Sequence, residues 1–469
     1  MKAGGAVALD AALPTIAGAA GQTILNDASG LNPTPVSRHW VVQPNEQAEL
    51  IARLRNELKA AAAERRPVCI GAARHSMGGQ SLPRDGLAIT VNSARCEPDT
   101  AAKTFRADAG TRWHHVIAAL DRIGFSPAVM QSNHDFGVAA TFSVNAHGWP
   151  VPYGPFGSTV RSLRVMLADG TVVTCSRTEN RELFQLAMGG YGLLGIILEV
   201  EADMVENRLL QPTQAAMSSK EFARAFTGAI DEDALVLMAY GRLSVARRGF
   251  LDEALLVTYR SAPSNGKLPP AGSGGLVASV SREIYRAQTG SETAKRARWF
   301  AETKLKPGVA TRNTLMNEPV SNLAGRDSRR TDILHEYFVP PDRFNDFVAA
   351  CQEIIPPSGI EFLNVTLRYV AADSESVLAF APTRRIAAVM SFSQEMQPQA
   401  EVAMRRMTEA LIERVVAIGG SFYLPYRLHA QRDQVTKAYA NVARFVERKR
   451  HYDPQLLFRN AMWQQYFAG

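Results

Sequence analysis

The first clear apolar pattern in this chain has the spacing of one helical face. Apolar side chains at positions 50, 51, 54 and 58 recur at that spacing, with charged residues on the other face. We therefore predict a helix over 44–66, with Asn45 placed to cap its start. Short apolar runs at 68–70 and 87–91 predict strands on its C-terminal side. This order predicts a βαβ-like opening.

Helical and strand-like patterns continue through the rest of the chain. The predicted helices cover 114–123, 182–188, 344–354 and 403–418. The predicted strands cover 196–200, 234–238, 254–258, 333–339, 362–370 and 387–392, and a hairpin joins 164–167 to 171–174 through the Ala-Asp-Gly turn at 168–170. Helices and sheets alternate without a strict repeat, which indicates the α+β class.

One long segment, 261–307, is rich in Pro, Gly and Ser and then in basic residues. We interpret it as a solvated, loop-rich insertion. A lid, an oligomer contact and a disordered insertion are the alternatives.

Composition narrows the possible functions. A chain of 469 residues suits two domains, and 46% apolar and 21% charged residues are ordinary for a globular protein. The net charge of +7 is spread along the chain without a basic block interleaved with aromatic residues, which argues against nucleic-acid binding. No run approaches the roughly 18 apolar residues of a membrane span, so we expect no transmembrane segment.

The four cysteines are scattered, with no CxxC pair. This spacing argues against a zinc site or a disulfide framework, and we predict no metal site. They are Cys69, Cys96, Cys175 and Cys351.

The N-terminus resembles the end of an export signal. Lys2 precedes a small, apolar run at 3–21 that Asp10 and Pro14 interrupt. Export to a periplasm is one interpretation. A flexible N-terminal arm on a cytoplasmic protein is the alternative.

The segment 68–80 carries the strongest chemical signal. An apolar run breaks into a turn that holds His75 and Ser76 between glycines. Gly71, Gly78 and Gly79 let the backbone bend and approach a ligand closely, and successive N–H groups in such a turn can point at one phosphate. The alternative is an ordinary tight turn.

A second segment, 133–148, is dominated by small and hydroxyl-bearing residues, as a backbone that passes close to a large ligand requires. It ends in His147 and Gly148, although His147 is alternatively a core imidazole bonded to a carbonyl. The glycines at 190, 192 and 195 formally satisfy GxGxxG. A dinucleotide-binding fingerprint lies between a strand and the helix that it opens, however, and here the predicted helix precedes the glycines. We therefore reject a Rossmann site.

These motifs, in this order, resemble the vanillyl-alcohol-oxidase and p-cresol-methylhydroxylase (PCMH-type) superfamily of FAD enzymes. Alditol oxidases, aldonolactone oxidases and cytokinin dehydrogenases of this group share the His-Ser loop, the His-Gly segment, the hairpin at 164–174 and a closing segment like 452–460. The resemblance covers the chain from about residue 35 onward and is nearest to the alditol and aldonolactone oxidases.

The resemblance implies an α+β, two-domain fold, a PCMH-type FAD-binding domain with an α+β cap, or substrate, domain. The expected boundaries are 1–33 for the N-terminal arm, 34–205 for the FAD-binding domain, 206–425 for the cap with its insertion at 261–307, and 426–469 for a segment that returns to the FAD-binding domain.

FAD is the cofactor that the resemblance implies. His75 matches the histidine that several family members join covalently to the flavin, and a neutral imidazole is a competent nucleophile. The resemblance implies that a second covalent bond to the flavin would need a cysteine near 131–135. No cysteine lies there, so one covalent bond is the limit. The expected cofactor contacts are Gly71, Ala72, Ala73, Arg74, His75, Ser76, Gly79, Gln80, Gly137, Thr141, Asn145, His147, Gly148, Gly195, Ile196, Ile197 and Asn460.

The resemblance also implies catalytic residues on the cap strands. Arg368 matches an arginine of the alditol oxidases, and Ser393 matches a hydroxyl residue of the same site. Thr366 stands where those enzymes have a glutamate that grips substrate hydroxyls, which puts a polyol substrate in doubt. The alternative for Arg368 is a structural ion pair.

A second departure lies at 425–429, where a family lysine is missing. Tyr426, Arg427 and His429 are the candidates to replace it. His429 is a candidate general base, and Arg427 a candidate contact of an anionic substrate or of the reduced flavin. The alternative is that the tyrosine and histidine only pack in the core.

The expected activity is oxidation of a small alcohol, sugar-like molecule, lactone or hydroxy acid, with hydride transfer to flavin N5 and reoxidation by O2. A dehydrogenase that uses a quinone or protein acceptor is the first alternative. A flavin-binding protein without catalysis is the second. The sequence leaves the oligomeric state open.

Overall fold

The computed structural model describes residues 16–17, 23–264, 266–272, 283, 285–320 and 327–469. Most of the segment that resembles an export signal therefore lies outside the described residues. Within the described ranges, no helix is both long and apolar enough to cross a membrane.

The α-helices are α1 Leu50–Ala63, α2 Trp113–Asp121, α3 Val138–Ser143, α4 Arg181–Ala187, α5 Ser219–Asp231, α6 Glu292–Lys304, α7 Arg312–Met316, α8 Phe344–Ser358, α9 Pro398–Ala417, α10 Arg432–Ala438 and α11 Val442–Tyr452. Short 3-10 turns occupy Pro44–Glu49, Phe156–Thr159 and Pro341–Arg343, and a π-helical turn occupies Trp463–Phe467.

The strands are β1 Ile16–Ala17, β2 Thr23–Leu25, β3 Thr34–Val36, β4 Arg38–Val41, β5 Val68–Gly71, β6 Leu87–Thr90, β7 Cys96–Asp99, β8 Thr104–Asp108, β9 Phe125–Pro127, β10 Val160–Met166, β11 Val172–Ser176, β12 Ile196–Glu206, β13 Leu209–Ser218, β14 Val236–Leu243, β15 Glu253–Ser261, β16 Ala310–Thr311, β17 Arg330–Val339, β18 Glu361–Val370, β19 Arg385–Glu395 and β20 Ser421–Phe422.

The predicted βαβ opening forms a parallel sheet in the order β4-β6-β5, with α1 as the crossover. Leu54 and Leu58 bury the apolar face of α1. The prediction that Asn45 caps this helix is wrong. The α-helix begins at Leu50, because the preceding residues form a 3-10 turn that contains Asn45.

A second, antiparallel sheet has the order β11-β10-β12-β8-β7, and β9 also pairs with β12. The predicted hairpin is present as β10 and β11, and Gly170 supplies a φ of +83° in its turn. The glycines at 190, 192 and 195 lie between α4 and β12. The order helix, glycines, strand is the one that excludes a dinucleotide fingerprint.

The third main sheet is antiparallel and eight-stranded, in the order β16-β13-β15-β14-β18-β19-β17-β20. Helices α5, α8 and α9 pack on one side, which we call the helix face; Phe222 of α5, for example, lies against Gly241 of β14. The opposite side contacts the N-terminal half of the chain through Arg368 of β18, which donates to the carbonyl of His147. We call it the front face.

The segment that we interpreted as a solvated loop is ordered over part of its length. Helix α6 packs beside β18, where Lys295 is buried and its Nζ lies 2.7 Å from Glu361 Oε1. The Tyr285 hydroxyl lies 2.8 Å from Ser391 Oγ. The loop interpretation is therefore wrong for this part, because ion pairs and buried polar contacts fix it to the sheet.

The C-terminal segment contacts the opening βαβ unit. The Val68 amide donates to the carbonyl of Leu457 at 2.8 Å, and Asn460 Nδ2 donates to the carbonyl of Gln80 at 2.7 Å. The last residues thus join the glycine-rich loop that follows β5.

Candidate active site

Four strands of the eight-stranded sheet place one row of side chains on the front face. Arg242 pairs with Thr366, Thr366 pairs with Val389, and Val389 pairs with Glu336. Directly paired residues of an antiparallel sheet point to the same face. The row therefore begins with the cation of Arg242 and ends with the carboxylate of Glu336. Thr366 and Val389 lie between them.

The adjacent row on the same face contains Arg368, Ala387 and Phe338, because residues two positions apart on a strand share a face. Ala387 and Val389 form a low floor between Arg368 on one side and Glu336 on the other. Ser132, His147 and Trp149 from the N-terminal half of the chain lie over these rows.

Glu336 is the centre of a buried hydrogen-bond network. One carboxylate oxygen contacts His147 Nε2, and the other accepts a hydrogen bond from the Tyr426 hydroxyl at 3.1 Å. Glu336 and His147 are each 3% exposed. A carboxylate bonded to Nε2 favours the tautomer that carries its proton there. The lone pair is then on Nδ1, which has no hydrogen-bond partner among the described residues.

Arg368 brings a positive charge to this network. Its Nη1 donates to the His147 carbonyl at 3.2 Å and its Nη2 to Ser132 Oγ at 2.8 Å, whereas Nε is buried without a partner among the described residues. Burial lowers the pKa of Arg368, and Glu336 acts in the opposite direction. An arginine keeps its proton in a protein, so the site contains a cation bonded only to neutral oxygens.

Tyr426 stays protonated in this setting. Burial and the charge of Glu336 raise the pKa of Tyr426 well above its usual range. Its hydroxyl therefore acts as a hydrogen-bond donor to Glu336. We refer to Arg368, Glu336, His147 and Tyr426 as the front cluster.

His75 lies in the loop after β5. Its ring is partly buried and packs 4.6 Å from the Phe136 ring. Burial lowers the pKa of His75 to about 4, Arg112 adds to the effect, and Asp135 opposes it. The imidazole is therefore neutral near pH 7, the state in which it is a nucleophile.

Other side chains of this loop bind the protein itself. Arg74 has a φ of +50°, and its buried guanidinium donates to Thr90 Oγ1 and to the Ile89 carbonyl. Gln80 Nε2 donates to the Leu424 carbonyl at 2.7 Å. These side chains hold the loop in place. The Gly79 amide also binds the protein, donating to Asp27 Oδ2 at 2.8 Å, and the Gly71 carbonyl accepts from the Val91 amide at 3.0 Å. The other predicted contacts of this loop are Ala72, Ala73, His75 and Ser76.

The second predicted segment meets this loop. A Cβ at Gly137 would lie only 2.9 Å from Ala72 Cβ, so a glycine is required where the two segments cross. Thr141 and Asn145 are buried and bonded within the protein, for example from Asn145 Nδ2 to Asp373 Oδ2 at 3.0 Å. At Gly148 a Cβ would lie 1.9 Å from the Met130 carbonyl oxygen.

The predicted contacts at 195–197 and 460 have packing roles. A Cβ at Gly195 would lie 2.7 Å from the Met166 carbonyl oxygen, while Ile196 and Ile197 pair with β10 and are buried. Asn460 is the residue that bonds Gln80. Nothing in these contacts aims a side chain at a ligand.

Two of the predicted catalytic residues lie in a different cluster. Glu401 of α9 accepts from Arg427 Nε at 3.0 Å and lies 2.8 Å from His429 Nε2. His429 Nδ1 lies 3.1 Å from Thr408 Oγ1, also on α9. The structure does not bring Arg427 or His429 to Arg368. We call Arg427, Glu401 and His429 the helix cluster.

Ser393 also lies apart from the front cluster, because Arg330 binds both its hydroxyl and its carbonyl, at 3.0 and 2.9 Å. Thr366, Arg368 and Tyr426 are thus the predicted catalytic residues that the structure places together.

Sequence reasoning missed Ser132 and Arg242 as site residues and favoured a structural role for Glu336. For Glu336 a signal was present, because it is a carboxylate directly before the apolar run Tyr337–Val339 of β17. Such a residue in a buried strand needs a partner. Its partner His147 is 189 positions away in the sequence, so only the fold reveals the pair.

Among the residues that the structure describes, no group of three or more His, Cys, Asp and Glu side chains could hold a metal ion.

Comparisons with known proteins agree with the motifs. Residues 39–176 match the family described as FAD binding domain. Cytokinin dehydrogenase 8 of Oryza sativa subsp. indica is 31% identical to this chain over 228 residues, which cover 43% of the chain and 41% of that relative.

Two oxidases are similar over shorter stretches. Alditol oxidase of Streptomyces sp. (strain IKD472 / FERM P-14339) is 30% identical over 139 residues, 29% of the chain and 33% of that relative. D-arabinono-1,4-lactone oxidase of Yarrowia lipolytica (strain CLIB 122 / E 150) is 32% identical over 117 residues, 25% of the chain and 22% of that relative. The matched part of the chain thus spans less than half the length of each of these three relatives. The resemblance to the PCMH-type FAD proteins is confirmed.

Proposed function

We propose that this chain, which carries an FAD binding domain of the PCMH type over residues 39–176, is an FAD-dependent oxidoreductase that oxidises a small alcohol. The substrate class includes sugar-like molecules, lactones and hydroxy acids. The observation that carries the proposal is the front cluster, in which a cation, a carboxylate, an imidazole and a phenol converge between the FAD binding domain and the eight-stranded sheet.

The residues present fit a bound flavin. Three residues of this region have a buried polar atom without a hydrogen-bond partner among the described residues. The atoms are His147 Nδ1, Trp149 Nε1 and Arg368 Nε. His75 is neutral and belongs to the loop that crosses Gly137. A flavin would be held by this loop and by the segment from Gly137 to Gly148.

Bound FAD would supply a two-electron acceptor: the carbinol carbon gives up a hydride, the hydroxyl gives up a proton, and O2 or another acceptor later removes two electrons and two protons. The protein supplies the rest. Arg368 stabilises the negative charge that develops on the alcohol oxygen. His147 Nδ1 takes the hydroxyl proton as a general base, with its Nε2 proton held by Glu336.

Tyr426 has a supporting role in this proposal. Its hydroxyl donates to the second oxygen of Glu336, which fixes the carboxylate in the orientation that His147 requires. Ala387 and Val389 form the floor under the substrate and keep water from the reacting carbon.

We further propose that His75 is joined covalently to the flavin. The support is its place in the His-Ser loop and its neutral state. In a wild-type preparation, flavin fluorescence should stay with the polypeptide after acid precipitation and on a denaturing gel. His75→Ala should release all flavin to the supernatant. Acid-stable flavin in that variant would disprove the assignment.

The decisive experiment is anaerobic mixing of the purified yellow protein with a panel of alcohols, sugars, lactones and hydroxy acids. Bleaching of the flavin band near 450 nm by a member of the panel is the expected result. A protein that binds FAD and is reduced by no compound would favour the non-catalytic flavin protein instead. A colourless protein that also fails to take up added FAD would reject the proposal.

The acceptor is decided by a second measurement. Two of the relatives are named oxidases, which supports reoxidation by O2 with release of peroxide. The third relative is named a dehydrogenase. Reduced protein that remains bleached in air, but recovers with a quinone or an artificial acceptor, would assign the dehydrogenase alternative.

A further inference from the structure

Two arginines on the front face have no acidic partner. Arg242 Nη1 donates to Asn364 Oδ1 and Thr366 Oγ1, both at 2.7 Å, and the contacts of Arg368 are likewise neutral. No ion pair among the described residues includes either guanidinium, although the charge of Glu336 acts to raise the pKa of Arg368.

Other cations near this face are neutralised. Arg286, Lys295 and Arg298 each lie within 3 Å of a carboxylate oxygen; the ion pairs are Arg286–Asp332, Lys295–Glu361 and Arg298–Glu302. Arg242 and Arg368, which have no ion pair, therefore both lie beside Ala387 and Val389.

Arg242 and Arg368 are close enough to act on one ligand. Arg242 pairs with Thr366, which is two positions from Arg368 on the same strand and face. Residues in this diagonal position across two antiparallel strands are roughly 7 to 8 Å apart. Burial lowers the pKa of Arg368, and the charge of Arg242 acts in the same direction. Two cations at this separation favour an anion between them.

The geometry points to a carboxylate as that anion. We propose that Arg242 and Arg368 bind the carboxylate of a hydroxy-acid substrate. This inference rests on the proposed function and names its substrate class. Arg242 is partly exposed, and its Cζ lies 5.7 Å from the centre of the Tyr240 ring. Its hydrogen bonds to described residues come from Nη1, so Nε and Nη2 are available to a ligand. Arginine presents paired N–H donors that match a planar carboxylate.

Thr366 is consistent with this selection. A carboxylate at position 366 would lie between the two guanidiniums and neutralise them. A threonine instead accepts from Arg242 and leaves both positive charges for the substrate. A 2-hydroxy acid placed over Ala387 would then have its carboxylate between the two guanidiniums, and its hydroxyl, on the adjacent carbon, beside Arg368 on the His147 side.

The first test measures binding without chemistry. 2-Hydroxy-2-methylpropanoate has no hydrogen on its carbinol carbon and cannot be oxidised, so calorimetric titration of FAD-loaded protein measures affinity alone. We expect binding of this anion and none of tert-butanol. Arg242→Ala should weaken it about ten- to a hundredfold, and Arg242→Lys less, because a charge-assisted hydrogen bond is lost and only partly replaced.

A matched control is Arg260→Ala. Arg260 lies on the neighbouring strand β15 and pairs with Asp233 at 2.8 Å, away from the site. Its variant should bind the anion as the wild type does. Failure of the wild type to bind the anion, equal weakening by both variants, or loss of FAD from Arg242→Ala would each overturn the proposal.

The second test uses turnover. Flavin reduction by lactate and gluconate is compared with reduction by propane-1,2-diol and glucitol, which lack the carboxylate. We expect the acids to have at least a tenfold higher kcat/KM, and Arg242→Ala to raise KM for the acids alone. A preference for the neutral alcohols would overturn the carboxylate assignment. If no compound of either class reduces the flavin, the proposed function fails, while the calorimetric result still decides the arginine site.

Discussion

The eight-stranded sheet has two buried clusters of charged side chains that look alike by composition. The front cluster combines Arg368 with Glu336 and His147, and the helix cluster combines Arg427 with Glu401 and His429. Each contains one arginine, one glutamate and one histidine. They differ in how completely their polar atoms are bonded.

The helix cluster is closed. His429 uses both ring nitrogens, on Glu401 and Thr408, and Arg427 bonds Glu401, Asn32 and the Met77 carbonyl. The front cluster is open, since His147 Nδ1 and Arg368 Nε have no partner among the described residues. A closed cluster holds the fold together, whereas an open one has binding capacity left for a ligand.

The largest expected effect tests the helix cluster. Glu401→Gln should lower the free energy of unfolding by about 3 to 5 kcal/mol at pH 7, because the largely buried Arg427 guanidinium loses its carboxylate. The flavin reduction rate of the folded protein should stay within about twofold. Urea unfolding and anaerobic stopped-flow measure the two quantities. A loss of reduction rate without a loss of stability would contradict the comparison.

The pH dependence of this effect has a defined sign. Burial acts to raise the pKa of Glu401, but His429 and Arg427 outweigh it and lower the pKa from 4.5 to about 2. The folded state therefore binds the proton more weakly than the unfolded state does, and the stabilisation is lost as the pH falls from about 4.5 toward 2. The difference between wild type and Glu401→Gln should shrink across that interval.

The next largest effect concerns Arg368. Arg368→Ala should slow flavin reduction about a thousandfold, because the charge that faces the developing alkoxide is removed. Its stability should change much less than that of Glu401→Gln. Arg368→Lys keeps the charge without the planar fork and should be intermediate. A rate within tenfold of the wild type for Arg368→Ala would reassign this arginine to structure.

A smaller effect is expected for Glu336→Gln. The substitution keeps the shape but removes the charge that favours the Nε2 proton of His147, so the rate should fall about a hundredfold. The pH profile of the reduction rate should also change, because the proposed base loses the carboxylate that is bonded to its Nε2. A purely structural role would lower the melting temperature and leave the profile of the remaining protein unchanged.

A substitution that closes the front cluster sharpens the comparison further. Thr366→Glu places a carboxylate between Arg242 and Arg368, as Glu401 lies between Arg427 and His429. The ratio of kcat/KM for lactate over propane-1,2-diol should fall about tenfold or more. Thr366→Gln has nearly the same size without the charge and is the control. Equal ratios in both variants would show that size decides the effect.

The smallest effect concerns His75. Its pKa of about 4 means that the imidazole is neutral throughout pH 6 to 8. The rate of covalent FAD attachment to apoprotein should therefore stay flat over that range, as measured by gel fluorescence over time. An unshifted histidine, with a pKa near 6.5, would instead lose about three quarters of its neutral form at pH 6.

Local sequence patterns were sufficient for about half of the elements. The βαβ opening, the hairpin, the strands β17 to β19 and the helices α8 and α9 were predicted because their apolar periodicities are local and strong. Strand β13 and helix α5 were missed, since β13 mixes apolar with polar residues and most of its side chains are at least partly exposed. Helix α6 was missed because its composition is polar and basic, and its order comes from pairs such as Lys295 with Glu361.

The candidate site was predicted in part. Arg368, Thr366 and Tyr426 were identified, but Arg427 and His429 were grouped with them because they are neighbours in the sequence. Neighbours in the sequence do not share a site here, because Tyr426 donates to Glu336 whereas Arg427 donates to Glu401. Glu336 and His335 are also neighbours that point to opposite faces of the sheet. Glu336 lies on the front face, and His335 contacts Thr408 on the helix face.

The sequence by itself determined the FAD-binding class, the glycine-bearing loop with His75 and the order of the main elements. These properties depend on residues that are close in the chain, where backbone geometry and side-chain periodicity act directly. Only the tertiary structure decided which charged residues meet. His147, Glu336, Arg368 and Tyr426 come from distant segments, and a strand sends successive side chains to opposite faces, so pairing register alone determines whether a residue joins the open cluster or the closed one.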